Sequence, residues 1–191
     1  MEAVGDDYGS RGIKYRTMGQ LQNTANIRRK KVMKRYQYGT PFNTEAITVQ
    51  IEATEGNPKY GKISMEEGFS FTYLMDEEDI VYGLGEANRG INKRGYCYIS
   101  NCSDVPEHTE DKRSLYAAHN FIIVSGKGTF GLFFDYPSML TFDIGYTKSD
   151  VLKVSCENAD LDVYVIEGEN AYDIVKQFRR VIGRSYIPPK F

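Results

Sequence analysis

From residue 36 onward, apolar and polar letters fall into short runs, and each run predicts a strand. AITVQIE (46–52) places Ile47, Val49 and Ile51 on one face, and FSFTYLM (69–75) does the same with Phe69, Phe71, Tyr73 and Met75. DIVYG (79–83), YCYIS (96–100), NFIIVS (120–125), TFGLFFD (129–135), LTFDI (140–144), VLKVSC (151–156) and LDVYVI (161–166) follow, divided by turn formers such as GKG (126–128) and ENAD (157–160). Strands joined by short polar segments, with no helix between them, predict an all-β fold built as an antiparallel β-sandwich. One helix is specified near the C-terminal end. In ENAYDIVKQFRRVIG, Asn170 is placed to cap, Asp173 suits the positive first turn, and Ile174, Val175, Phe178, Val181 and Ile182 form one stripe before Gly183 supplies the stop. The paired prolines of RSYIPPKF then force an extended exit, which reads as a connector to a further segment.

Residues 1–35 differ from this pattern. They carry nine Lys or Arg against three acids and show neither strand alternation nor a helical stripe through residue 32, which predicts a basic, weakly structured arm ahead of a sandwich spanning 36–191. RRKKVMKR is basic enough to grip nucleic acid, but no aromatic interleaving or recognition helix accompanies it, so no nucleic-acid partner is expected. The whole chain is close to neutral, at −2, and its 15 Tyr and 10 Phe suit a strand-rich globular protein. No apolar run approaches the roughly 20 residues of a membrane span, so no membrane association is expected. Cys97, Cys102 and Cys156 cannot all pair, and the start MEAVGDDYGS lacks the basic and then apolar order of a secretory signal, which together predict reduced thiols and a cytoplasmic protein.

Candidate chemistry is sparse. VYGLGEANRGINKRG (81–95) is rich in glycine, yet Asn88 stands at the sixth position of a dinucleotide fingerprint and no amphipathic helix starts behind it, so a bend at a strand end is expected in place of a phosphate site. Gly83, Gly85 and Gly90 would make that bend, with a Glu86–Arg89 ion pair to fix it. His108 with Glu107, Glu110 and Asp111 lacks a ligand spacing, and Cys97 and Cys102 have no matching second pair, so no metal and no cofactor is expected. No G-x-S-x-G elbow and no paired carboxylates for acid and base work appear. The longest polar stretch, SNCSDVPEHTEDKRS (100–114), remains. A loop of that length in a compact fold is either mobile or functional, and its Asn101, Asp104, His108 and Arg113 could meet a hydroxylated ligand. The alternative for Asp104 is a turn residue bonding its own backbone ahead of Pro106.

Four blocks, taken in order, resemble one family. VYGLGEANRG, the polar loop closing on SLYAAHNFII, GTFGLFFDYPSMLTFDIG, and DLDVYVIEGENAYDIVKQFRRVIGRSYIPP are similar to the region that precedes the catalytic barrel in glycoside hydrolase family 31, the α-glucosidases and α-xylosidases. The resemblance covers residues 36–191 and implies a galactose-mutarotase-like sandwich leading through I-P-P into a (β/α)8 barrel that holds the nucleophile and acid/base Asp of a retaining mechanism. Those motifs are absent from this chain, so it implies a noncatalytic domain, inactive alone, of an enzyme cleaving terminal α-linked glucose from oligosaccharides. It also implies that the polar loop reaches the sugar subsite, with Asp104 at the position that accepts from sugar hydroxyls. Asn101 lies one residue further from Asp104 than the common N-x-D spacing, and Tyr98 stands where relatives often carry Trp. A sandwich separated from its barrel would uncover apolar surface around 170–183 and 186–191, so a homo-oligomer is expected. A free-standing sandwich that binds carbohydrate is the competing reading.

Overall fold

The computed structural model describes residues 33–190; the predicted arm falls mostly on residues 1–32, outside the described residues. Ten strands and one helix follow in order: β1 (Met33–Tyr38), β2 (Lys62–Ser64), β3 (Phe69–Leu74), β4 (Ile80–Gly83), β5 (Tyr96–Ser100), β6 (Phe121–Ser125), β7 (Thr129–Asp135), β8 (Leu140–Ile144), β9 (Val151–Cys156), β10 (Leu161–Glu167) and α1 (Ala171–Ile182). They form two five-stranded sheets, ordered β1-β10-β7-β6-β4 and β2-β3-β9-β8-β5, in which every strand pairing is antiparallel. The expected sandwich is therefore what the chain forms.

The inner faces meet in an aromatic core. Phe134 lies edge-on to Phe69, Phe71 and Phe142, with centroids 6.3, 6.0 and 5.8 Å away, and all four rings are fully buried. A second cluster forms on the outer face of the first sheet, where α1 lays Ile174 and Phe178 over Phe121, Ile123, Phe133, Tyr164 and Ile166. Cover on both faces explains why β6, β7 and β10 read as continuous apolar runs while β3 and β8 alternate. Asn170 caps α1 as expected, its side-chain oxygen accepting from the Asp173 amide at 3.0 Å.

Two expectations are corrected. AITVQIE is not a strand: Ile47 and Ile51 pack against the second cluster and Val49 is exposed, while the Thr48 N–H and hydroxyl both donate to Val181 O at 2.8 Å. Those donors are spent on a carbonyl in the last turn of α1, which has no partner inside the helix, so they cannot enter a ladder. The boundary drawn at 35/36 cuts β1, because Met33–Tyr38 pairs with β10 along its whole length. Arg35 is accommodated there by Asp162, at 2.9 Å, and donates to Ile51 O.

Candidate functional site

β4 and β5 are edge strands of opposite sheets, so residues 84–95 must cross from one sheet to the other, and the segment from 101 to 120 must cross back. The glycine-rich link begins with three consecutive residues at positive φ: Gly83 (125°), Leu84 (71°) and Gly85 (66°). Its backbone lies directly on the returning segment. Leu84 N–H donates to Phe121 O at 3.2 Å, Glu86 N–H donates to Ala117 O at 2.9 Å, and a Cβ on Gly83 would stand 2.2 Å from Phe121 O. Close backbone approach, together with a φ that side chains disfavour, accounts for these glycines. Gly90 shares neither constraint.

The expected Glu86–Arg89 pair does not form. Glu86 Oε2 accepts from Ala117 N–H at 3.3 Å, while Arg89 lays its guanidinium over the Tyr96 ring, 3.6 Å from the centroid, and donates Nε to Glu110 O at 2.5 Å. Each side chain thus finds a partner on the loop or the neighbouring strand, which sequence spacing does not reveal.

The polar loop is tied at its base and along its length. The Ser100 hydroxyl bonds the Asn120 side-chain oxygen, and Asn120 in turn donates to Tyr136 O at 3.1 Å. Ile99 N–H donates to Arg113 O and Ser103 N–H to Leu115 O, both at 2.9 Å, which extends the pairing past the edge of β5. Further out, the Tyr116 hydroxyl donates to Val105 O at 3.0 Å, and its ring meets His108 edge-on at 5.2 Å.

Asp104 sits inside this framework, exposed, and its carboxylate takes no hydrogen bond among the described residues. The self-bonded turn is therefore not what the loop adopts. Asn101 is exposed at the loop's start, its N–H donating to Ile99 O at 3.0 Å. Tyr98 belongs to the core: the residue is 3% exposed, its ring faces inward, and burial pushes its phenol up to about 12. The strand's period of two explains this, since Tyr98 pairs with the core residue Phe142 and shares its face. Tyr98 thus exposes almost none of its surface in this structure. Lys93 is buried with its ammonium 5.8 Å from the Tyr98 centroid, and loss of water pulls its pKa down. His108 and Arg113 remain at the surface, Arg113 with its guanidinium 5.5 Å from the Tyr146 ring.

Among the described residues, no group of three or more His, Cys, Asp or Glu could hold a metal ion. A groove of about 500 Å³ lies on the outer face of the second sheet, lined by Ser70, Thr141, Lys153 and Ser155, and none of Tyr98, Asn101 or Asp104 borders it.

A two-sheet antiparallel sandwich that holds out one braced polar loop at its edge is a scaffold of the galactose mutarotase-like kind. The chain belongs to glycoside hydrolase family 31: residues 12–143 match its N-terminal galactose mutarotase-like domain. α-Glucosidase 2 of Bacillus thermoamyloliquefaciens is 32% identical over 136 residues, covering 66% of this chain and 17% of that enzyme. An α-glucosidase of Saccharolobus solfataricus is 26% identical over 116 residues, covering 60% of this chain and 17% of that enzyme. The dextranase of Flavobacterium johnsoniae, solved in complex with isomaltotriose, shares the fold at a TM-score of 0.61 and 23% identity, over 66% of this chain and 16% of its own. The chain thus spans less than a fifth of the length of each relative.

Proposed function

We propose that this sandwich is the noncatalytic N-terminal domain of an α-glucosidase acting on terminal α-linked glucose, and that its polar loop lends Asp104 to the sugar-binding subsite. The observation that carries the reading is a carboxylate held out on a braced loop with no partner of its own among the described residues. An ionised carboxylate accepts from two sugar hydroxyls at once, and hydrogen bonds to a charged group are the stronger kind. The names of the glucosidase relatives support glucose as the sugar. Asn101 is the neutral partner at the loop's start; Tyr98 acts only by filling the core beneath.

In this reading the acid and nucleophile of the retaining mechanism reside in a barrel, and the 191-residue chain alone hydrolyses nothing. The barrel packs on the surface that carries exposed Tyr172, Val175, Tyr186 and Ile187. The test joins the chain to a family 31 barrel and compares Asp104→Ala with the wild type on an α-glucoside and an α-xyloside. Loss of a charged hydrogen bond of about 1.5–3 kcal/mol lowers kcat/KM about 10- to 100-fold on the glucoside. Unchanged kinetics would remove the loop from the site; the alternative of an α-xylosidase parent is decided with the enzyme's own barrel, where faster turnover of the xyloside would establish it.

A further inference from the structure

The loop that carries Asp104 leaves β5 and returns to β6, and its base is secured by backbone bonds at Ile99 and Ser103. Beyond Ser103 the holding bonds change character. Thr109 bonds Asp111, Lys112 N–H donates to Thr109 O at 3.3 Å, and Tyr116 donates to Val105 O. All of these lie within the loop, so they shape it without fixing where it stands relative to the sheets. Among the described residues, the hydrogen bond that reaches residues 104–112 from another part of the chain comes from Arg89, through Nε to Glu110 O at 2.5 Å.

Arg89 is itself well anchored. Its guanidinium plane rests on Tyr96 at 3.6 Å, Tyr96 meets Tyr98 edge-on at 6.4 Å, and Tyr98 is set in the core. Three residues upstream, Glu86 is locked to Ala117 through both its backbone N–H and its carboxylate. A chain of contacts therefore runs from the core through two rings and one planar cation to the far side of the loop. The Asp111 carboxyl, held low chiefly by the Thr109 hydroxyl, also feels the Arg89 charge, which adds attraction on the same side.

We propose that Arg89 is the positioning residue of this site, a clamp that holds the 104–112 loop in place so that Asp104 meets the sugar. The role in sugar binding rests on the reading of Asp104 given above; the clamp itself does not. A planar guanidinium is required because one group must stack on Tyr96 and donate sideways to Glu110 O at the same time. Lysine keeps the charge and loses that combination.

The test uses two amides that donate to backbone oxygens, Lys112 to Thr109 O and Ser103 to Leu115 O, with exchange followed by NMR in the 191-residue chain. In Arg89→Ala the Lys112 amide exchanges about tenfold faster, Arg89→Lys behaves nearly the same, and Ser103 and the β5 and β8 amides keep their protection. In the barrel-joined enzyme, Arg89→Ala lowers kcat/KM in the wild-type background and by less than about twofold when Asp104→Ala is already present, the mark of one residue acting through another. Unchanged Lys112 exchange in Arg89→Ala overturns the clamp, as does equal loosening throughout β5 and β8, which would make Arg89 a sheet stabiliser only. If Lys112 loosens while Asp104→Ala leaves kinetics untouched, the clamp stands and the sugar contact alone fails.

Discussion

Phe178 offers the sharpest test of how α1 is fastened to the sandwich. Its ring is 4% exposed, lies parallel to Phe121 with centroids 4.0 Å apart, and leans on Phe133 at 5.0 Å. Truncation to Ala removes a buried ring and leaves a cavity between helix and sheet, a change that costs about 3–5 kcal/mol. Domains of ordinary stability have about 5–15 kcal/mol in total, so this variant should stay folded but lose a large share of its margin. With a urea slope of about 2 kcal/mol/M, the midpoint falls by about 1.5–2.5 M. Tyr172→Ala, on the opposite face of α1 and 77% exposed, shifts stability by less than about 0.5 kcal/mol and serves as the control. A loss below about 1 kcal/mol for Phe178→Ala, at unchanged slope, would show that α1 does not pack on β6 and β7 in solution.

Other outcomes follow from the same structure. Asn170→Ala removes the cap of α1 and costs about 1 kcal/mol in the same urea assay. Burial raises the Asp135 pKa despite the hydrogen bond from Thr44, so the folded state binds a proton more readily than the unfolded chain; stability therefore falls as pH rises from the ordinary carboxyl value through the folded one, and Asp135→Asn flattens that slope. Thiol labelling at pH 8 modifies exposed Cys102 first, because burial raises Cys97 and pushes Cys156 up to about 11; equal rates at all three would contradict the burial. The isolated chain self-associates through Tyr172, Val175, Tyr186 and Ile187, and light scattering that shows a strict monomer would count against it.

Much of the sandwich was legible because burial leaves a period in the sequence. LTFDI and VLKVSC match β8 and β9 residue for residue, and the unbroken apolar run of TFGLFFD marks a strand covered on both faces. Periodicity reports which side of a segment is buried, however, and not what its backbone bonds to. AITVQIE shows the limit, since Ile47 and Ile51 do face an apolar cluster while Thr48 bonds a helix end. β1 was hidden for the opposite reason: its Lys and Arg read as a solvated arm, and Asp162, the partner that lets Arg35 lie in a sheet, is far away in sequence. The resemblance points to Tyr98 in place of the relatives' Trp, yet strand alternation turns it inward. Sequence spacing pairs Arg89 only with nearby Glu86, because a backbone carbonyl carries no signature that would point to Glu110.

The proposed contact between Asp104 and a sugar hydroxyl can be tested one hydroxyl at a time. In the barrel-joined enzyme, kcat/KM is determined for an α-glucoside and for its monodeoxy analogues, with Asp104 intact and with Asp104→Ala. The account predicts that the intact enzyme discriminates about 10- to 100-fold against the analogue lacking a hydroxyl bound by Asp104, and that Asp104→Ala erases that difference while leaving the others. Identical discrimination against every analogue by both enzymes would contradict it.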